Sequence, residues 1–249
     1  MTVYVGRRAI DAIVLDIEGT TTPITFVSDV LFPFARRHLR EYLQDQRDSH
    51  DVRAVILRLR QDWAEDLARG ESPPHWADSA DARASSIAAY VEWLMDRDRK
   101  SPGLKLLQGH IWDRGYRSGE LKSVVFPDVA PAIQRWRASG VKVAIYSSGS
   151  ALAQRRLFEH VPEGDLTPYL NEFFDTAVGA KTSPDSYGRI AAALQCSTGH
   201  MLFVSDAMKE IEAARRAGCQ VLLCVRPGNA DQSPSSVDAV QSLQEIIVS

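Results

Sequence analysis

Four polar residues in the sequence each follow a short apolar run, and their types suit phosphoryl transfer. A carboxylate can attack phosphorus and hold the phosphoryl group covalently, while a hydroxyl can donate a hydrogen bond to the phosphoryl oxygens. A lysine can neutralise the same oxygens, and a second carboxylate can bind a hard cation such as Mg²⁺. The four residues, in chain order, are Asp16, Ser147, Lys181 and Asp206.

The apolar runs before these residues predict strands of a parallel sheet. Each run is short and rich in β-branched residues, and segments with helical apolar spacing separate the later runs. Because strand and helix alternate, we predict an α/β fold with a doubly wound, mainly parallel sheet, in which ligands bind at the carboxyl ends of the strands. The predicted strands are 12–15, 141–146, 173–178, 201–204 and 221–225, the predicted helices between them are 129–138, 151–160, 187–194 and 207–217, and a final helix is predicted after a polar loop at 227–236.

A long stretch after the first predicted strand has helical periodicity and no convincing strand. We therefore predict an all-helical cap domain inserted at residues 23–121. Residues 1–22 and 122–249 then form the α/β core. Gly140 and Gly218 stand in this core where the C-terminal caps of helices are expected.

Composition excludes several classes of protein. The 249 residues are 45% apolar and 24% charged, which is ordinary for a globular chain and excludes a disordered or collagen-like one. The net charge of −3 argues against nucleic acid or an anionic membrane as a partner. No apolar stretch approaches the roughly 18 residues of a membrane span, so we expect a cytoplasmic protein. We also expect a monomer more readily than an oligomer. The three cysteines contain no CxxC pair and are expected to be reduced core residues.

The residues around the four positions resemble the four motifs of the haloacid dehalogenase-like hydrolases. Residues 16–20, reading DIEGT, are similar to the nucleophile loop DxDGT, with Glu18 in place of the second aspartate. Residues 146–150, reading YSSGS, resemble the second motif, and Lys181 resembles the third. The fourth motif is matched by Ser205, Asp206 and Glu210.

With glutamate at Glu18, the nucleophile loop is similar to that of one branch of this superfamily, the acireductone synthases. These are the enolase-phosphatases of methionine salvage. Longer stretches resemble the same branch at 16–34, 107–116, 146–154 and 226–229, the last reading RPGN. The resemblance implies a Mg²⁺-dependent phosphatase acting on a small phosphorylated substrate. Its substrate would be 2,3-diketo-5-methylthiopentyl-1-phosphate, which is first enolised and then dephosphorylated to the acireductone 1,2-dihydroxy-3-keto-5-methylthiopentene.

The resemblance also implies roles for individual residues. Asp16 would be the nucleophile and form an aspartyl-phosphate. Glu18 would protonate the leaving oxygen and then activate the water that hydrolyses this intermediate. Lys181 would pair with both the phosphate and Asp16. The expected substrate-binding residues are Ser147, Ser148 and Lys181, and the expected metal ligands are Asp16, Asp206 and Glu18, the last through its backbone carbonyl.

Three other functions fit parts of the sequence. A generic phosphatase of the same superfamily, acting on a sugar phosphate or phosphoglycolate, would share the core and differ in the cap. A phosphonate hydrolase would need a cap lysine for a Schiff base, and Lys100 or Lys105 could serve. A phosphoacceptor signalling domain has a similar core, but Glu18 and the helical insertion count against it.

Some polar residues near these motifs have structural explanations as well. Glu210 stands one helical turn after Asp206 and is expected to orient it, and Asp11 marks the start of the first strand. His110 is more readily a structural histidine than a catalyst. We expect the cap segment 108–116, which includes Trp112, to recognise the methylthio end of the substrate.

Overall fold

The computed structural model describes residues 3–4, 9–46, 49–99, 101–229 and 237–248. The chain forms two compact units, one of Met1–Ser28 with Lys122–Ser249 and the other of Asp29–Leu121. The strands are β1 (Val3–Tyr4), β2 (Ala12–Leu15), β3 (Lys142–Tyr146), β4 (Glu172–Phe174), β5 (Met201–Ser205), β6 (Gln220–Cys224), β7 (Ala239–Val240) and β8 (Ile246–Ile247). The α-helices are α1 (Ile24–Phe26), α2 (Phe32–Asp45), α3 (His50–Ala68), α4 (Ala80–Asp96), α5 (Pro102–Ser118), α6 (Val129–Ala138), α7 (Ala151–Glu159), α8 (Pro184–Ala193) and α9 (Met208–Arg216), and a π-helical turn spans Val27–Leu31.

The first unit contains a six-stranded sheet in the order β4-β3-β2-β5-β6-β7. All neighbouring strands are parallel, and Val14 of the central strand lies opposite Ala144 on one side and Phe203 on the other. Every residue of β2 is fully buried, as expected for a strand in the middle of a parallel sheet covered on both faces. The predicted α/β fold with a parallel sheet is confirmed.

Most predicted elements of this unit lie within a few residues of their observed bounds. Gly140 and Gly218 end helices with φ of 80° and 90°, which confirms their predicted role as caps. The strand predicted at 173–178 is shorter than expected, because the chain turns after Phe174 toward the loop that carries Lys181.

The predicted final helix is wrong. The described residues after 236 instead form β7, a 3-10 turn at Leu243–Glu245 and β8, which pairs in parallel with β1. Val240, Leu243 and Ile246 are buried at a spacing of three, which resembles a helical stripe in sequence. The segment extends because its backbone pairs with β6 at one end and with β1 at the other.

The second unit consists of helices and loops, with no strand among its described residues. It contains α2 to α5, in which α3 packs on α5 and α2 on α4. Its interior holds two aspartates that fix helix positions. Asp62 Oδ2 accepts from the Gly103 amide at the start of α5 at 2.7 Å, and Asp66 accepts from the Tyr90 hydroxyl at 2.8 Å and pairs with Arg99.

The cysteines are free thiols. Cys219 and Cys224 are buried and Cys196 is partly buried. Burial raises the pKa of the Cys219 and Cys224 thiols to about 12, so both are inert structural groups at neutral pH. None of the described helices is long and apolar enough to cross a membrane.

Candidate active site

The carboxyl ends of neighbouring strands in the first unit bring the predicted site residues together. Asp16 follows β2, and its backbone amide continues the ladder by donating to the Val204 carbonyl at 3.0 Å. Ser147 follows β3, and Asp206 follows β5. Lys181 comes from the loop between β4 and α8. The parallel register therefore gathers groups that lie up to 190 residues apart in the sequence (206 − 16).

The Asp16 carboxylate is buried and held on both oxygens. Its Oδ1 atom lies 2.6 Å from Lys181 Nζ and accepts from the Ile17 amide at 2.7 Å. Its Oδ2 atom accepts from the Ser205 hydroxyl at 2.8 Å. These contacts fix the orientation of the carboxylate, which is what a nucleophile needs in order to attack along one line.

Lys181 is almost fully buried and serves two carboxylates. Its Nζ atom lies 2.6 Å from Asp16 Oδ1 and 2.6 Å from Glu210 Oε2. Burial alone would lower the pKa of Lys181, but the two negative partners hold it above its ordinary value. Burial and the charge of Asp16 also raise the pKa of Glu210 to about 7, against the opposing effect of Lys181.

Side chains fix the loop that carries Lys181 by donating hydrogen bonds to four consecutive backbone carbonyls. The carbonyls belong to residues 178–181, and each accepts a hydrogen bond of 2.6 to 2.9 Å. The donors, in the order of these carbonyls, are Arg189, Tyr146, Ser186 and Tyr187. The sequence does not show this role, because Tyr187 fits the apolar face of its helix and nothing in the spacing indicates where its hydroxyl points.

The nucleophile loop after Asp16 is compact. The amides of residues 20, 21 and 22 all donate to the Ile17 carbonyl, at 3.2, 3.0 and 2.9 Å. The Thr21 hydroxyl returns to the Asp16 carbonyl at 3.0 Å. Within this tight loop the side chain of Glu18 is exposed, whereas Asp16 two residues earlier is buried. The loop thus presents an acid to solvent next to a fixed nucleophile.

Gly19 brings the backbone of this loop against Asp206. Its φ is 68°, a left-handed value that favours glycine, and a Cβ atom there would lie 2.3 Å from Asp206 Oδ2. Burial and the negative charges of Asp16 and Glu18 raise the pKa of Asp206 to about 7, against the opposing effect of Lys181. The negative charge of the carboxylates gathered here therefore exceeds the positive charge that Lys181 supplies.

The donor set at this edge fits a magnesium ion. Oxygen ligands are available from the Asp16 and Asp206 carboxylates and from the Glu18 carbonyl, and Mg²⁺ commonly takes one or two carboxylates and fills its other positions with water and phosphate oxygens. Among the described residues no three His, Cys, Asp or Glu side chains form a metal-binding group. The surplus negative charge at Asp206 makes a cation favourable there.

The turn after β3 leads directly into the start of α7. Ser147 is buried, and its hydroxyl oxygen accepts from the Gly149 amide at 3.2 Å. Ser148 is half-buried, and Ser150 caps α7 by accepting from the Ala153 amide at 3.3 Å. Backbone amides at a helix start favour an anion, so this turn is suited to phosphate.

Other residues singled out in the sequence lie elsewhere. Asp11 is at the opposite end of β2, where its carboxylate lies 2.9 Å from His200 Nδ1. Within the helical unit, Gln108, Trp112 and Tyr116 are buried, and the Trp112 indole donates to the Leu31 carbonyl at 2.8 Å. Lys100 lies outside the described residues, and Lys105 is half-exposed on α5.

Comparison with known proteins agrees with this fold and identifies the family. The chain matches the family model of haloacid dehalogenase-like hydrolases over residues 10–218. Enolase-phosphatase E1 of Synechococcus elongatus is 47% identical to it over 96% of this chain and 98% of that protein. The probable bifunctional methylthioribulose-1-phosphate dehydratase/enolase-phosphatase E1 of Oryza sativa subsp. indica is 46% identical over 88% of this chain and 43% of its own length. The crystal structure of the UTR4 protein of Saccharomyces cerevisiae matches with a TM-score of 0.75 and 30% identity, covering 94% of this chain and 98% of that one.

The parallel sheet and the family match over residues 10–218 are those of a haloacid dehalogenase-like hydrolase. The chain belongs to this family and, within it, to the enolase-phosphatase E1 proteins. The resemblance inferred from the motifs is therefore confirmed. So is the predicted class of enzyme, a phosphatase of methionine salvage.

Proposed function

We propose that the chain enolises 2,3-diketo-5-methylthiopentyl-1-phosphate and then removes its phosphate to give the acireductone 1,2-dihydroxy-3-keto-5-methylthiopentene. The observation that carries the proposal is the Asp16 carboxylate, fixed by Lys181 and Ser205 beside a loop that exposes Glu18. The name of the rice relative, which joins a methylthioribulose-1-phosphate dehydratase to the enolase-phosphatase, supports a methylthio substrate.

Phosphoryl transfer begins at Asp16. One carboxylate oxygen of Asp16 attacks phosphorus, a new bond forms between them, and the bond from phosphorus to the substrate oxygen breaks. Glu18 gives its proton to the departing oxygen, which makes the enol a better leaving group. Lys181 balances negative charge on the transferring group, and Ser147 with the Ser148 amide holds the phosphoryl oxygens.

Hydrolysis restores the enzyme. Glu18, now ionised, takes a proton from a water molecule, and the oxygen of that water attacks phosphorus. The bond between Asp16 and phosphorus breaks and inorganic phosphate leaves. The same acid thus donates a proton in the first step and accepts one in the second, and the side chain of Glu18 is exposed, so water can reach it.

Magnesium is the proposed cofactor, held by the carboxylates of Asp16 and Asp206 and the carbonyl of Glu18. Bound there, the ion would offset charge on the phosphate and stabilise an enolate formed beside the carbonyl. The ion binds carboxylates in their ionised form, and Lys181 Nζ lies 2.6 Å from Asp16 Oδ1.

A phosphate-release assay with matched variants tests the proposal. Wild type should release phosphate and acireductone in equal amounts from the diketone phosphate and act far more slowly on simple sugar phosphates. Asp16→Asn should abolish release, because an amide is a poor nucleophile. Asp11→Asn, the same change at the opposite end of the same strand, should keep wild-type activity. Equal rates on sugar phosphates would indicate a generic phosphatase, and substantial turnover by Asp16→Asn would exclude Asp16 as the nucleophile.

A further inference from the structure

A short turn after β6 is built around the sequence RPGN. The Asn229 amide donates to the Arg226 carbonyl at 3.1 Å, which closes the turn, and Gly228 within it has a φ of 90°. Asn229 Nδ2 also donates to the Cys224 carbonyl at 3.3 Å, so the turn is tied back to its own strand. The proposed chemistry gives this turn no role.

The two ends of this turn bind consecutive carbonyls of the nucleophile loop. Asn229 Nδ2 donates to the Gly19 carbonyl at 3.0 Å. The guanidinium of Arg226 donates to the Thr20 carbonyl twice, from Nε at 3.1 Å and from Nη2 at 3.0 Å. The backbone just after Glu18 is therefore held by side chains that lie more than 200 residues later in the sequence.

Arg226 cannot easily change its position. Besides its bonds to Thr20, Nη1 and Nη2 contact the two carboxylate oxygens of Asp128 at 3.0 and 2.9 Å, and Nη1 donates to the Gln241 carbonyl at 2.9 Å. All five N–H groups of the buried guanidinium are thus used. Asp128 is fixed in turn, since it accepts from the Leu243 amide at 2.6 Å.

The nucleophile has separate supports. Asp16 is oriented by Lys181, Ser205 and the Ile17 amide, none of which belongs to the turn. The turn instead contacts the part of the loop that follows Glu18. A disturbance of the turn should therefore move Glu18 and leave the Asp16 carboxylate in place.

We propose that the Arg226–Asn229 turn is a positioning element that fixes the Gly19 and Thr20 carbonyls and thereby the backbone from which Glu18 projects. The proposal rests on the proposed function, in which Glu18 activates water against phosphorylated Asp16. With para-nitrophenyl phosphate the leaving group needs no proton, so formation of the aspartyl-phosphate does not require Glu18. Breakdown still requires Glu18 to activate water, so breakdown is the step that depends on the position of Glu18.

Asn229→Ala is the main test variant, because Asn229 is half-buried and we expect the fold to tolerate the loss of its side chain. With para-nitrophenyl phosphate and rapid acid quench, formation of phosphorylated Asp16 should stay close to the wild-type rate. Its breakdown should slow by about 10-fold, the effect expected from a misplaced catalytic group. Asn229→Asp, which keeps the shape but cannot donate to Gly19, should behave alike, and Arg226→Lys should show the same split.

Trp136→Phe provides the matched control. Trp136 is buried in the same unit and donates to the Ile246 carbonyl at 3.2 Å, so its replacement also loses a hydrogen bond into the C-terminal segment. Among the described residues, Trp136 makes no hydrogen bond to the nucleophile loop. This variant should lose stability and keep the wild-type ratio of formation to breakdown.

Hydrogen exchange supplies a readout that does not depend on turnover. The loop amides that donate to Ile17 should exchange faster in Asn229→Ala, by about 10-fold, and not in Trp136→Phe. Unchanged exchange, or equal slowing of formation and breakdown, would overturn the positioning role. Faster exchange in a protein whose wild type and Glu18→Gln variant never form phosphorylated Asp16 would support the role of the turn in holding the loop and refute the proposed function.

Discussion

Replacement of Lys181 by methionine should destabilise the protein strongly while leaving no cavity. The change removes the only cation in direct contact with Asp16 and Glu210 among the described residues, at two distances of 2.6 Å. Breaking a buried ion pair by deleting one partner costs about 3 to 5 kcal/mol. We expect about 3 kcal/mol, because Glu210 already has a raised pKa and can take up a proton to relieve the repulsion.

The same reasoning predicts non-additivity. Glu210→Gln removes one of the two carboxylates that share Lys181. In that background the loss of Lys181 leaves Asp16 without the charge of Glu210 beside it. The double variant should therefore lose less stability than the sum of the two single losses, by about 1 to 2 kcal/mol.

Urea denaturation of the four proteins near neutral pH, without added metal, measures this coupling. Both Lys181 variants should also have lost nearly all phosphatase activity, because the transferring group loses its cation. Additive losses within about 0.5 kcal/mol, or a Lys181→Met variant as stable as wild type, would refute the shared-ammonium argument.

Three further changes probe the loop, the metal and the buried ion pair. Asp206→Asn should weaken Mg²⁺ binding, so its activity should recover in part at high Mg²⁺, and an unchanged requirement in a metal titration would contradict the ligand role. Gly19→Ala should cost about 1 to 2 kcal/mol through its left-handed φ alone and should also displace the Asp206 carboxylate, which calorimetric Mg²⁺ titration would detect as weakened binding. Burial opposes ionisation of Asp128, but Arg226 outweighs it and holds the pKa of Asp128 below its usual value. The ion pair therefore stabilises the fold above the ordinary aspartate pKa, and the stability gap between wild type and Asp128→Asn should close as the pH falls below about 4. A gap that persists in acid would argue against the pair.

The sequence predicted the sheet and the main site residues because both depend on local patterns. The buried strand before Asp16 is a continuous apolar run. Gly140 and Gly218 could be predicted as helix caps because glycine readily adopts the left-handed φ that ends a helix. The end of the chain was predicted wrongly, because Val240, Leu243 and Ile246 show a spacing that suits a helix, although the backbone pairs with β6 at Val240 and with β1 at Ile246.

The supporting residues of the site could not be predicted in the same way. Tyr187 donates to the Lys181 carbonyl and Asn229 to the Gly19 carbonyl, and both bonds depend on where backbone carbonyls point in the folded chain. Such carbonyls carry no residue-type signal. The RPGN stretch was visible in the sequence as a resemblance, but its contact with the nucleophile loop depends on the neighbouring positions of β2, β5 and β6 in the sheet.

The most direct measurement for the central claim is detection of phosphate on Asp16 during turnover of the diketone phosphate. Wild-type protein quenched in acid within the first turnover, digested and analysed by mass spectrometry should carry one phosphoryl group on the peptide containing Asp16. With para-nitrophenyl phosphate, whose leaving group needs no proton, Glu18→Gln should carry more of it, because formation continues while breakdown is slowed. Release of phosphate and acireductone with no phosphorylated Asp16 in either protein would contradict the account.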